Sequence, residues 1–114
     1  MKSRFPLVFI VTLILAACSG QSVPRPVRMI SFAFEPAILR AEAGETIRLE
    51  LHNDDSIPHA FDIPELGVGV AVLPGVSVPL EFTVSQAGTY TFFCGIEGHR
   101  EAGMEGALTV EASP

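Results

Sequence analysis

Gly88-Thr-Tyr-Thr-Phe-Phe-Cys94-Gly-Ile-Glu-Gly-His99-Arg-Glu-Ala-Gly-Met104-Glu-Gly-Ala-Leu-Thr-Val110 reads as a strand, a loop and a second strand. From Thr89 to Cys94 the side chains alternate, so Tyr90, Phe92 and Cys94 share one face. Cys94 therefore ends its strand facing inward. The chain returns at once into Gly106 to Val110. Strands hold the loop at both ends, so the frame places His99 and Met104.

Working outward, Glu45 to Asn53 alternates in the same way. Ile47, Leu49 and Leu51 lie on one face, and Thr46, Arg48, Glu50 and His52 on the other. Val76 to Val84 repeats the pattern with Val78, Leu80, Phe82 and Val84 inward, after a Pro74-Gly75 pair suited to a type II turn. Arg28 to Phe34 and Ile38 to Glu42 are earlier strands, and Ala107 to Ala112 is the last. Ala60 to Ile63 and Val68 to Leu73 read as short strands or irregular edges. No segment has a helical period beyond a turn after His99. Short strands with frequent turn signals make this an all-β sandwich or barrel.

The loop also carries a donor set. Cys94 offers a thiolate, His99 an imidazole and Met104 a thioether, while His59 follows Pro58 in the segment after Asn53. Singly, Met104 would be core filler and His59 a surface residue. Together, one thiolate and two imidazoles with a weak axial thioether are the ligands of a mononuclear blue-copper centre. His52 lies on the polar face of its strand and Met29 in the first strand, so neither joins the set. Rival chemistries fit less well. Structural zinc asks for Cys-x2-Cys spacing, which is missing. A dinuclear copper site needs a second cysteine four residues from Cys94, where Tyr90 and Gly98 stand. Multicopper enzymes need more than the 3 histidines present. A Cys94 nucleophile with His99 as base lacks the distant pairing usual in such enzymes.

The run from Gly88 to His99, with Gly103 to Val110 and Asn53-Asp-Asp-Ser-Ile-Pro-His59, resembles the cupredoxins over roughly residues 28 to 112. The Cys-x4-His-x4-Met spacing is most similar to long-loop members such as rusticyanin and sulfocyanin. The resemblance implies a Greek-key β-sandwich or barrel of about seven to eight strands, occupying residues 28–114. It also implies one type 1 copper held by His59, Cys94 and His99, with Met104 axial. His99 would present its ring edge as the electron exit, and His59 would be buried with its other nitrogen on an acceptor. Asn53 and Asp54 either shape that neighbourhood or simply make a turn. Glu97 stands where many relatives have proline, and the stretch between His59 and Cys94 is short for the family.

The N-terminus reads as an export address. Lys2 and Arg4 precede an apolar run from Phe5 to Ala17, too short for the roughly 20 residues of a membrane-spanning helix. Leu15-Ala-Ala-Cys18 resembles a bacterial lipobox, which implies cleavage of residues 1–17 and lipid on Cys18. An ordinary signal peptide cut near the same place is the alternative. Residues 18–27 read as a tether. Lipidation leaves Cys94 as the one free thiol, and metal ligation accounts for it. A Cys18–Cys94 disulfide would instead tie a flexible leader to a buried strand end.

Without the leader, five arginines and no lysine face thirteen acidic residues, a formal charge of −8. That balance disfavours nucleic acid and favours basic partners. The expected protein is a monomeric, non-enzymatic electron carrier. It is anchored by lipid at the cell envelope, on the periplasmic or extracellular side, and exchanges electrons with redox proteins such as cytochromes. Glu97, Glu101 and Glu105 surround the ligand loop, either as docking charges or as solvated loop residues. The alternative function is copper buffering or delivery without electron turnover. Mass spectrometry of the membrane-extracted protein is expected to find acylated Cys18 as its first residue; an unacylated N-terminus would remove the lipoprotein reading.

Overall fold

Nine strands form among the described residues of the computed structural model, which are residues 1, 2, 10 and 22–114. Apart from residues 1, 2 and 10, the expected leader and the lipidation site Cys18 lie outside them. The strands are β1 (Arg25–Ile30), β2 (Ala33–Glu35), β3 (Ile38–Glu42), β4 (Thr46–Asn53), β5 (His59–Ile63), β6 (Val68–Val72), β7 (Ser77–Thr83), β8 (Gly88–Phe93) and β9 (Glu105–Glu111). One sheet has the order β2-β1-β4-β7 and the other β3-β9-β8-β5-β6. β1 runs parallel to β4 and β3 parallel to β9, while the other neighbours are antiparallel. The only helical element among the described residues is a single 3-10 turn, Pro64–Leu66.

The alternation in the sequence sets the two inner faces. Ile47, Leu49 and Leu51 of β4 are buried beside Val27 and Met29 of β1. On the opposite sheet Phe61, Ile63, Phe92, Leu108 and Val110 close the core. Phe34 joins the sheets, edge-on to Phe61 at 5.7 Å and to Phe92 at 5.1 Å between ring centroids. Phe61 and Phe92 are themselves stacked at 4.8 Å, an arrangement that adds to their burial. The apolar residues of β7 are only half-buried, which suits an edge strand.

The strand count exceeds the expected seven to eight for a local reason. The first expected strand, Arg28 to Phe34, folds back on itself at Ser31 and Phe32, both of which have positive φ (53° and 56°). Its two halves pair as the hairpin β1–β2. A serine and a phenylalanine do not signal such a turn, which usually takes Asn-Gly. The strand also begins at Arg25, because Arg25 to Met29 pair with Leu49 to Asn53. His59 opens β5 instead of lying in the preceding loop, and β6 is a regular edge strand.

Gly106 shows how tightly the sheet closes over this core. It pairs with Phe92, and a Cβ there would overlap both the Phe92 ring and the Ala37 carbonyl. Gly106→Ala is expected to lower the stability of the copper-free chain by about 1–3 kcal/mol, measured by urea unfolding. An unchanged midpoint would mean that the Phe92 ring shifts at no cost.

Candidate metal centre

The centre is built where β5 begins and β8 ends. Phe61 and Phe92 point into the core, so the residues two places away along each strand, His59 and Cys94, point the same way. Both are fully buried. His99 reaches the same spot from the turn that follows, and is half-buried. One ligand atom from each of these three residues lies within 4.8 Å of the other two. The Nδ1 atoms of the two histidines are 3.2 Å apart, and Cys94 Sγ is 3.4 Å from His99 Nδ1. The backbone N–H of Ala60 donates to Cys94 Sγ at 3.2 Å.

Backbone bonds close the loop from Cys94 to Met104 on itself. Cys94 N–H donates to the Met104 carbonyl at 3.0 Å, and Met104 N–H to the His99 carbonyl at 3.1 Å. Within it, His99 N–H donates to Ile96 and Ala102 N–H to Gly98. Arg100 packs over the Phe93 ring at 4.0 Å and pairs with Glu105 at 3.1 Å. The loop is therefore internally braced even with Glu97 in place of proline. Met104 is fully buried at its end. Asp62, across from Phe93 in the β5–β8 pair, accepts the N–H of Gly95 at 2.9 Å. Gly95 leaves the room for it, since a Cβ there would overlap the carboxylate.

The β4–β5 loop supplies the outer support. Asn53 is fully buried, and its amide donates to the carbonyls of Ile57 (2.8 Å) and Val72 (2.9 Å). Its Oδ1 accepts the N–H of Asp55 at 2.9 Å. Asn53 thus shapes the neighbourhood of His59, beyond making a turn. Asp55 Oδ2 accepts from His59 Nε2 at 2.7 Å, leaving Nδ1 free to face Cys94 and His99. Asp54 turns outward to Arg28 and His52. The hydrogen bond from Arg28 holds its carboxyl below the usual carboxylate range. His52 is half-buried on the polar face, bonded to Ser77 and Asp54. Phe32 lies edge-on to His99 at 5.0 Å and to His59 at 6.2 Å.

The structure thus gathers His59, Cys94 and His99 as the sequence suggests, and ties Met104 to them through the backbone. Sequence reasoning missed Asp55, Asp62 and Phe32. Asp55 had one legible signal, its place in the polar run Asn53-Asp-Asp-Ser just before His59. The donor set suits copper: a buried cysteine sulfur with two imidazoles gathered beside it and no carboxylate among the three.

Comparison with known proteins agrees. The Cupredoxin-like domain family profile matches residues 6–110. Plastocyanin of Prochlorothrix hollandica is 31% identical over 112 residues, covering 88% of this chain and 82% of that protein. The copper-resistant cuproprotein CopI of Rubrivivax gelatinosus is 30% identical over 114 residues, covering 82% of this chain and 69% of that protein. Dithionite-reduced auracyanin from Roseiflexus castenholzii superposes with a TM-score of 0.69 at 20% identity, covering 83% of this chain and all of that one, a likeness of fold. With its two-sheet frame and its buried Cys-His-His cluster, the chain belongs to the cupredoxin family of type 1 blue copper proteins.

Proposed function

We propose that this chain is a lipid-anchored electron carrier that shuttles single electrons between redox proteins at the cell envelope. The observation that carries this reading is the convergence of His59 Nδ1, His99 Nδ1 and Cys94 Sγ at the closed end of a rigid sandwich. One copper ion would be held there by these three residues, with Met104 as the weak axial fourth, and would supply a one-electron Cu(II)/Cu(I) couple. The chain's own part is to fix the donors. Asp55 holds His59, the Ala60 N–H supports the Cys94 sulfur, and the loop's backbone bonds set His99 against Met104. His99, the least buried of the three, is the point of electron exit.

Exposed apolar residues support close docking at that end. Phe32 touches His99, and Leu73 and Val76 flank a turn bonded to Asn53. Ile96, Leu66 and Val68 are half-buried and contribute less. Around them the charge is negative. Glu105 is paired with Arg100, whereas Glu97 and Glu101 make no ion pair among the described residues. A cytochrome with a basic face is the matching partner, met by a monomer tethered through lipid on Cys18. The likeness to a copper-resistant cuproprotein favours a second reading, in which the same site buffers or delivers copper.

Copper(II) added to the full chain is expected to give an intense sulfur-to-copper absorption band with narrow hyperfine splitting, lost in Cys94→Ala. Fast electron exchange with a cytochrome without loss of copper favours the carrier, and copper release to an acceptor favours the second reading. Replacing Glu97, Glu101 and Glu105 together by glutamine is expected to slow exchange at low ionic strength and to change it little at high salt. A rate unchanged at low salt removes these acids from docking.

A further inference from the structure

Three features beside the metal centre are joined through one carboxylate. The first is the left-handed pair Ser31 and Phe32, with φ of 53° and 56°. Two successive non-glycine residues in that region are uncommon, and such backbone is retained where neighbouring structure holds it. The second is the Phe32 ring, set edge-on to both ligand histidines. The third is Asp55, four residues before His59. Its Oδ2 accepts the backbone N–H of Ser31 at 2.9 Å and His59 Nε2 at 2.7 Å. Asp55 is itself fixed, since its own N–H donates to the buried Asn53.

We propose that Asp55 is a positioning residue that, through one oxygen, orients His59 and clamps the Ser31–Phe32 turn, seating Phe32 as a cap on the two ligand histidines. The proposal rests on the reading of the cluster as a copper centre. Three consequences follow from the contacts. The proton of neutral His59 stays on Nε2, so Nδ1 is turned to Cys94 and His99 before any metal arrives. A negative carboxylate on that nitrogen makes the imidazole a stronger donor, which favours the oxidised ion. The Phe32 ring, 39% exposed, screens the imidazole edges from water while its outer side faces solvent.

The test uses the full chain with Asp55→Ala, Asp55→Asn and Phe32→Ala, first without copper. Nitrogen-15 spectra of the parent chain should place the His59 proton on Nε2. Asp55→Ala should lose that preference and speed hydrogen exchange at Ser31 at least tenfold, with Leu108 in β9 unchanged. Unaltered His59 and Ser31 signals overturn the proposal. If Asp55→Ala does not fold, Asp55→Asn, which keeps an acceptor of the same shape without the charge, carries the test. Loaded with copper, it should shift the redox equilibrium toward the reduced ion by about tenfold, or about 59 mV for one electron. A midpoint equal to the parent's overturns the proposal. Phe32→Ala should raise the relaxation of solvent water by bound copper(II); no change removes the cap. Failure of the parent chain to develop a thiolate-to-copper band would defeat the copper reading itself, and the copper-free measurements would still decide Asp55.

Discussion

The metal end of this protein hangs on the junction between β5 and β8, the two strands that carry His59 and Cys94. The register between them has a single bridging pair, Asp62 with Phe93. Farther along, side chains take over from the ladder. The Ala60 N–H points at the Cys94 sulfur, and the Asp62 carboxylate takes the Gly95 N–H. The N–H donors that an ordinary sheet would aim at carbonyls are thus aimed at a ligand sulfur and at a side-chain carboxylate. The buried Cys94 thiol sits where the strands part, and these substitute bonds bridge them there.

What lies beneath the junction makes it rigid. The Phe61–Phe92 stack is two residues from each ligand, and Phe34 wedges it from the other sheet. His59 and Cys94 cannot swing without moving rings that are fully buried. From the other side, the Cys94–Met104 and Met104–His99 backbone bonds fasten the loop to itself. Asn53 ties the β4–β5 loop to Val72. Every donor is therefore held by at least one contact that owes nothing to a metal.

The parts of this arrangement that were legible in the sequence are those governed by a period of two. Ile47, Leu49 and Leu51, and likewise Phe92 and Cys94, could be assigned an inward face because a strand admits only two orientations. The spacing of Cys94, His99 and Met104 could be read because one short loop carries all three. The hairpin at Ser31–Phe32 could not, since the carboxylate bonded to its backbone belongs to Asp55, 24 residues away. Asp62 was equally hidden. Its alternation marks it as one more polar residue of an edge, and only the pairing of β5 with β8 brings it to Gly95. Local pattern reports orientation; it does not report which distant amide a carboxylate will meet.

Burial then divides the two histidines into different roles. His59 is closed off, with one nitrogen on Asp55 and the other turned toward Cys94 and His99. His99 keeps part of its ring accessible, and its backbone is braced by the turn from Ile96 to Gly103. Copper(II) and copper(I) differ in preferred geometry, so a site that followed either preference would have to rearrange at each transfer. A frame that fixes one imidazole in the interior and presents the other at the surface resists that rearrangement. It also leaves His99 only half-buried. In the carrier proposed above, electron exchange would be limited by how a partner approaches His99 more than by motion within the chain. Under that proposal the exposed groups at that end, Phe32, Leu73, Glu97 and Glu101, would matter more to rate than those of the core.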